Sequence, residues 1–242
     1  MEDNKETNAR GFFNGVKKSL PIVIGIVPSG VAFGILAKTA GLTLWESLFM
    51  SAVVFAGASQ FAALNLMMIG ASAADIIITT ALLNARHIMM ASSLSRRLAP
   101  GLGTPAKIPL FLTLTDESFS IASLQRERLI AGSFIYGLQF PLYLSWSATT
   151  LCGYLGTSVM PQTVRDSMGI AIYALFIALI IPATRKSRAA LTVTLAAMAL
   201  SALFKFTPGL SQINRGVAII ISAGGSALLG ALLYPTAEKE GE

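Results

Sequence analysis

Long apolar segments alternate with short polar ones through most of the chain. About 20 helical residues cross a bilayer core, and the pattern divides into eight segments of roughly this kind. They lie at about 20–37, 44–69, 79–95, 109–124, 130–155, 168–181, 189–206 and 217–233. The pattern predicts an all-α, polytopic membrane helix bundle. A charged, cytoplasmic arm occupies 1–18, a single transmembrane domain 19–234, and a polar tail 235–242.

The first apolar segment contains Pro21 and Pro28. Proline inside a helix removes a backbone hydrogen bond and clashes with the preceding turn. The cluster Pro28-Ser29-Gly30 therefore predicts that the first helix is broken near its middle. Broken helices are tolerated in a membrane where the freed backbone groups face protein or a water-filled cavity. The alternative is a proline kink, with the small residues packed against a neighbouring helix.

The segment 109–124 is the weakest of the eight, because two carboxylates interrupt its apolar character. If it crosses the membrane, there are eight crossings and both termini share one side; if it does not, there are seven. We expect it to cross, with both termini cytoplasmic, because most basic residues then lie inside. This arrangement leaves Arg96, Arg97 and Lys107 outside. A re-entrant or tilted segment remains the alternative.

Composition agrees with a membrane protein and narrows the chemistry. Hydrophobic residues make up 54% of the chain and charged residues 12%, whereas soluble domains carry about 25% charged residues. The net charge of +6 is spread along the loops without a basic stripe, so it indicates membrane orientation and not nucleic-acid binding. With one cysteine, Cys152, and one histidine, neither a disulfide framework nor a His-rich metal site is expected.

The polar residues within apolar segments form three groups, which are Ser59-Gln60, Asn84 with Arg86-His87, and Thr115-Asp116-Glu117. An arginine at the bilayer centre costs about 2.5–3.5 kcal/mol or more, so Arg86 should have a partner. Asp116 and Glu117 are the best candidates. Because successive helical residues point about 100° apart, at most one of the two carboxylates can face a given partner squarely.

These groups predict transport chemistry. Arg86 can bind a substrate carboxylate, and helix ends at the predicted break suit an anionic group near the midplane. The predicted binding residues have polar or small side chains: Arg86, Gln60, Ser59, Ser29, Gly30 and Asn84. Asp116, Glu117 and His87 are predicted to carry a coupling proton. The remaining apolar lining favours an apolar substrate side chain.

Structural roles are the alternative for the same residues. Arg86 and a carboxylate can form a closed ion pair that only pins two helices together. His87 can hydrogen-bond to backbone or to a neighbouring helix, and Gln60 can make an ordinary inter-helix hydrogen bond.

Known catalytic motifs are missing from the sequence, which has no HExxH, no GxSxG and no GxxxxGK[ST]. We therefore predict that the protein is not an enzyme and needs no cofactor or metal. An intramembrane acid–base enzyme that uses Asp116 and Glu117 stays open as an alternative.

Four blocks in the first half of the chain occur together and in order. They are LPIVIGIVPSGVAFGILA from Leu20, VFAGASQFAAL from Val54, LLNARHIMMASSLSRRL from Leu82 and LTDESFSIA from Leu114. This arrangement resembles the AzlC/YgaZ family, the large subunits of branched-chain amino acid exporters. The second half resembles the family mainly in its run of apolar segments.

The resemblance implies export of leucine, isoleucine, valine and often methionine across the bacterial inner membrane, linked to the proton motive force. It also implies a small membrane partner subunit of the AzlD/YgaH type. The family's blocks fall on Gly57, Ser59, Gln60, Arg86, His87, Asp116 and Glu117. Some members have an acidic residue where this chain has Asn84, so proton coupling here would differ or would use Asp116 or Glu117. The alternatives are a passive channel or pore, a scaffold for a transporting partner, or a membrane-embedded enzyme.

Overall fold

The structure is a computed structural model that describes residues 2–161, 163, 177, 180–181, 184–185, 187–213 and 215–234. The described residues form nine α-helices and one 3₁₀ turn, Leu210–Gln212. The helices are α1 (Glu2–Thr39), α2 (Leu44–Val54), α3 (Gly57–Met68), α4 (Ala73–Ser95), α5 (Thr104–Leu112), α6 (Asp116–Ser123), α7 (Gly132–Gly156), α8 (Arg188–Phe206) and α9 (Arg215–Leu233).

The predicted all-α bundle is confirmed for the described residues. Four predicted segments match α4, α7, α8 and α9 to within a few residues at most of their ends. The α4 helix starts six residues earlier than the predicted segment, at a capping box formed by Ser72 and Asp75. Most of the predicted segment 168–181 and all of the tail 235–242 lie outside the described residues.

The predicted break in the first helix is wrong. The α1 helix continues from Glu2 to Thr39 through both Pro21 and Pro28. A proline removes only one helical hydrogen bond, and packing on both sides can hold the helix in place. Here α7 lies against α1 before and after Pro28, at Gly15 and at Gly34. Residues 2–18, predicted as a separate arm, are therefore the N-terminal part of α1.

Glycines let the backbones of α1 and α7 touch. A Cβ atom added to Gly15 would overlap the carbonyl oxygen of Phe134, and one added to Gly34 would overlap that of Thr150. The partners on α7 behave in the same way, because a Cβ atom on Gly153 would overlap the carbonyl oxygen of Val31. Small residues are the usual means of bringing membrane helices this close.

The order of these contacts shows that α1 and α7 run parallel. Early residues of α1 meet early residues of α7, and late residues meet late ones. We call the two ends of the pair the arm end, where Lys18 donates to the Gln125 side chain at 2.6 Å, and the far end, where Lys38 bonds Ser158. The 20 residues from Lys18 to Lys38 span about 30 Å of helix, which matches a bilayer core.

The α4 helix runs from the far end to the arm end. At its C-terminus, Ala99 donates its N–H to the Ile130 carbonyl at 2.9 Å, just before α7 begins. The Arg97 guanidinium donates to the carbonyls of Ser123, Gln125 and Glu127 at 2.7–2.8 Å. Because α4 is about 34 Å long, its start lies at the opposite, far end.

The α2 and α3 helices form a hairpin that enters and leaves at the far end. The Tyr154 hydroxyl donates to the Leu42 carbonyl just before α2, and Tyr143 donates to Ala52 near its end, both at 3.0 Å. Only residues 69–72 separate α3 from α4, so α3 returns to the end where α4 begins. We call α2–α3 the far hairpin. The predicted crossing over 44–69 therefore folds back on itself.

The α5 and α6 helices form a second hairpin, from the arm end. The Gln139 side chain on α7 donates to the Leu110 carbonyl at 2.9 Å, and α6 then leads back to the loop held by Arg97. We call α5–α6 the arm hairpin. The segment 109–124 therefore does not cross, and the re-entrant alternative describes it. Helices of 8–12 residues are about 12–18 Å long, roughly half a bilayer core.

Basic residues move to one end as a result. Arg96, Arg97 and Lys107 lie at the arm end with Lys18, so their predicted position on the opposite side is wrong. The prediction counted 44–69 and 109–124 as crossings, whereas both fold back. Because two crossings are removed, the predicted direction of α7 is unchanged. The arm end thus gathers most of the basic residues in the described part of the chain.

Apolar side chains cover the outside of the bundle. On α4, the outward side chains of Ile77, Leu82, Ile88 and Met89 are 51–73% exposed, and α8 has no buried residue. By length and composition, two described helices can cross a bilayer unaided, Asn8–Thr39 and Arg188–Phe206. Such an exterior requires lipid or another membrane helix around it.

Substitution of Gly34 by alanine should destabilise the protein. The added methyl overlaps the Thr150 carbonyl and separates α1 from α7, at a cost of about 1–3 kcal/mol. Gly25→Ala is the control, because nothing lies within 4 Å of its Cβ position. Thermal unfolding in detergent measures both variants, and equal midpoints would contradict the close backbone contact.

Cysteine labelling tests the two hairpins. In a Cys152→Ser background, Lys107→Cys should react with a membrane-impermeant thiol reagent from the same side as Lys17→Cys. Trp45→Cys, at the start of α2, should react from the opposite side. A crossing at 44–69 would instead place position 107 with position 45, and a crossing at 104–124 would place Arg126→Cys on the side opposite to Lys107→Cys.

Candidate functional site

The tips of the two hairpins meet beside α4, about halfway along the bundle. Between them lies a cavity of about 340 Å³, which we call the central cavity. Its polar side carries Ser29, Arg86, His87, Thr115, Asp116 and Glu117. Its apolar side carries Ile26, Phe55, Ala56, Gly57, Ala58, Phe61, Leu142 and Trp146.

The tip of the far hairpin is a sharp turn at Phe55 and Ala56. Phe55 has φ of 41°, a left-handed conformation that is rare for a bulky residue and is held only by its surroundings. The Gln60 side-chain oxygen supplies part of that support, because it accepts the Ala56 N–H at 3.2 Å and the Trp146 indole N–H at 3.1 Å. Gln60 thereby ties the turn to α7.

The first turn of α3 opens onto the central cavity. Within the described part of the chain, α3 has no side-chain hydrogen bond at its N-cap, Ala56. The cavity lining includes Gly57, which has no side chain, and Ala58, whose side chain is one methyl group, so the backbone is accessible there. The N-terminus of a helix carries partial positive charge and free N–H groups, which attract anions.

The tip of the arm hairpin presents carboxylates at the start of α6. Thr115 and Ser118 form a capping box, in which each side-chain oxygen accepts the other residue's backbone N–H. Asp116 and Glu117 occupy the first turn, where the helix dipole stabilises negative charge. Thr113 fixes the tip to α7 by donating its hydroxyl to the Gln139 side-chain oxygen at 3.0 Å.

Arg86 pairs with Asp116, as predicted. The guanidinium nitrogen lies 2.7 Å from the carboxylate oxygen, and the two side chains are 38% and 49% exposed. The pair joins α4 to the arm hairpin. The buried Arg86 Nε has no hydrogen-bond partner among the described residues, so this side chain keeps an unused donor. Glu117 lines the cavity beside the pair.

Five of the nine predicted site residues line the central cavity: Ser29, Arg86, His87, Asp116 and Glu117. The other four are placed elsewhere. Gly30 packs against Thr149 of α7, and Gln60 is fully buried behind the apolar wall. Ser59 and Asn84 line a separate apolar groove between α4 and the far hairpin. The roles predicted for all nine stay predictions.

The apolar wall was missed by sequence reasoning. Phe55, Leu142 and Trp146 come from three positions that look like ordinary helix residues in the sequence. Two sequence features could have pointed to the apolar wall. Gly57 is a glycine next to the proposed polar residues Ser59 and Gln60, and Trp146 is a tryptophan within an apolar segment. Neither signal indicates that these two residues touch.

Comparison with known proteins identifies the family. The family model described as "AzlC protein" matches residues 21–160. The chain belongs to the AzlC family. The matched region runs from α1 to the end of α7 and so includes every residue of the central cavity.

Relatives from three organisms cover most of the chain. "Inner membrane protein YgaZ" of Escherichia coli is 30% identical over 183 residues, 73% of this chain and 75% of the relative. An "Uncharacterized membrane protein" of Archaeoglobus fulgidus is 35% identical over 175 residues, 71% and 75%. "Branched-chain amino acid transport protein AzlC" of Bacillus subtilis is 28% identical over 173 residues, 70% and 66%. No solved structure matches.

These relatives establish that this AzlC-family chain is a membrane protein, which agrees with its apolar exterior. The relative in Bacillus subtilis is named for branched-chain amino acid transport. In this chain the central cavity lies midway along the bundle, between half-length helices, which is where substrate sites lie in many membrane transporters.

Loss of one partner of the Arg86–Asp116 pair should destabilise the protein. We expect Asp116→Asn to cost about 1 kcal/mol, because water screens a pair that is this exposed. Arg86→Gln combined with Asp116→Asn should cost less than the sum of the single changes. Glu117→Gln is the control and should change stability by less than about 0.5 kcal/mol. Strictly additive unfolding energies would show that the ion pair contributes nothing.

Proposed function

We propose that this chain is the large subunit of a secondary exporter of leucine, isoleucine, valine and methionine, linked to the proton motive force. It would act in the bacterial inner membrane. The observation that carries the proposal is the central cavity, which has a charged side and an apolar side. An aliphatic amino acid likewise has a charged end, its ammonium and carboxylate groups, and an apolar side chain.

The charged side suits the backbone groups of an amino acid. The substrate carboxylate lies between Arg86, whose Nε is unused, and the open first turn of α3. The substrate ammonium lies toward Glu117 on the arm hairpin. A cavity of about 340 Å³ is at the small end of the range for ligand sites, about 300–1,000 Å³. This size fits one amino acid.

The ion pair gives the proposal a coupling step. A substrate carboxylate competes with Asp116 for Arg86, because both are anions and Arg86 bonds Asp116 at 2.7 Å. Asp116, once released from Arg86, is then the carboxylate that carries the coupling proton. His87 and Glu117 line the same cavity and can exchange that proton with water.

The location of the termini follows from charge. The arm end holds Lys18, Arg97 and Lys107, so the positive-inside rule supports a cytoplasmic arm end. On this basis we propose that the N-terminus is cytoplasmic. The C-terminus is then cytoplasmic too, because six of the eight predicted segments remain as crossings, which is an even number. The small AzlD/YgaH-type partner is proposed from the family resemblance, and the exposed surface of α8 leaves room for further membrane helices.

Efflux from loaded cells tests the proposed function. Cells that express this chain, with and without an AzlD/YgaH-type subunit, take up leucine-containing dipeptides and release leucine. We expect release of leucine, isoleucine, valine and methionine, but not lysine, and its loss when an uncoupler is added. Arg86→Ala should lower release at least about tenfold, which corresponds to 1.4 kcal/mol. Gly25→Ala, outside the cavity, should retain it.

Each rival predicts a different result. Release that ignores the uncoupler and never saturates would indicate a passive channel or pore. Full release with Arg86→Ala in an assembled complex would indicate a scaffold whose partner transports. Chemical change of the released amino acid would indicate an enzyme.

A further inference from the structure

Contacts on several sides hold Trp146 in the wall of the central cavity. Its indole is 7% exposed and stacks on Phe33 of α1, with ring centroids 6.1 Å apart and planes at 23°. Phe61 of α3 packs edge-on against the same Phe33 ring, at 5.8 Å. The indole N–H is held at 3.1 Å by the Gln60 side-chain oxygen. Stacking and the hydrogen bond together fix the plane and the rotation of the ring.

The backbone of Trp146 is fixed as well. Gly30 of α1 packs against Thr149, one turn further along α7, and Gly153 packs against Val31. Because these backbones are already in contact, α7 has no room to shift toward α1. A bulky group in the cavity therefore cannot push the indole backward.

Gly57 sets how closely the far hairpin approaches the indole. A Cβ atom at Gly57 would lie 3.0 Å from Trp146 Cη2 and 3.4 Å from Cζ2. Such a contact is too tight to form without movement, and the fixed ring leaves only the hairpin tip to move. The tip carries Phe55, Ala56 and the open first turn of α3, so the cavity must change shape.

We infer that the contact between Gly57 and Trp146, held by Gln60, sets the largest substrate side chain that the central cavity accepts. This inference rests on the proposed function. Aliphatic side chains fit beside the indole, and aromatic side chains are excluded because the indole cannot retreat. In an apolar pocket one methylene changes selectivity by about 10–200-fold, so a whole ring on the wall has a large effect.

Two variants should move selectivity in opposite directions. Trp146→Phe removes one ring of the wall and should raise the ratio of phenylalanine to leucine export about tenfold. Gly57→Ala should narrow the cavity and lower leucine and methionine export about tenfold relative to valine. The double variant should regain leucine export, because the smaller ring makes room for the added methyl group. Gly25→Ala is the matched glycine control.

Binding is measured separately by tryptophan fluorescence. The chain has two tryptophans, and Trp45 is 77% exposed and outside the cavity. In the full-length Trp45→Phe protein, Trp146 is the single reporter. We expect leucine to change its emission at concentrations where phenylalanine does not, and Gly57→Ala to weaken the leucine response about tenfold.

The outcomes separate the inference from the proposed function. If the unaltered chain neither exports leucine nor shows a leucine response, both are overturned. If it does both, and folded Gly57→Ala and Trp146→Phe variants keep its selectivity, only the inference is overturned. Loss of leucine export in both single variants without recovery in the double variant would also overturn it, since the two residues would not act through their contact.

Discussion

The guanidinium of Arg86 is the constraint on which the centre of this protein depends. It sits about two-thirds of the way along α4, where the surrounding segments are apolar, and charge there is tolerated only with partners. The structure supplies one from another element, Asp116 at the tip of the arm hairpin. Asp116 is in turn stabilised by the start of α6. The ion pair therefore explains why a helix must begin in the interior of the bundle.

The tips of the two hairpins, near Arg86, expose backbone N–H and C=O groups that need partners. Where α2 ends and α3 begins, and where α5 ends and α6 begins, free N–H and C=O groups appear inside the membrane protein. They are tolerable only against protein or a water-filled cavity. The two turns face the same cavity from opposite ends of the bundle, and α7 holds both through Trp146 and Gln139. The cavity thus exists because the two hairpins turn inside the bundle, and the turns are tolerated because they face the cavity.

Close packing of α1 on α7 is the frame for this centre. Because glycines bring the two backbones into contact, the positions of Ser29, Leu142 and Trp146 relative to one another are fixed. The hairpins attach to this frame by packing of apolar side chains and by side-chain hydrogen bonds. The α1–α7 pair is held backbone against backbone, whereas the hairpins contact it through side chains, so we expect the pair to be the part that stays fixed. Alternating access needs one part that moves against another.

The sequence alone determined the class of protein, most helix boundaries, the membership of the AzlC family and the pairing of Arg86 with a carboxylate. Composition, local pattern and the cost of a buried charge suffice for these. Only the tertiary structure decided that 44–69 and 109–124 fold back, that α1 stays whole at Pro28, and that Trp146 meets Gly57. An apolar segment of some 20 residues has the same hydropathy whether it crosses or turns back. The difference lies in contacts with α4 and α7, which are distant in sequence.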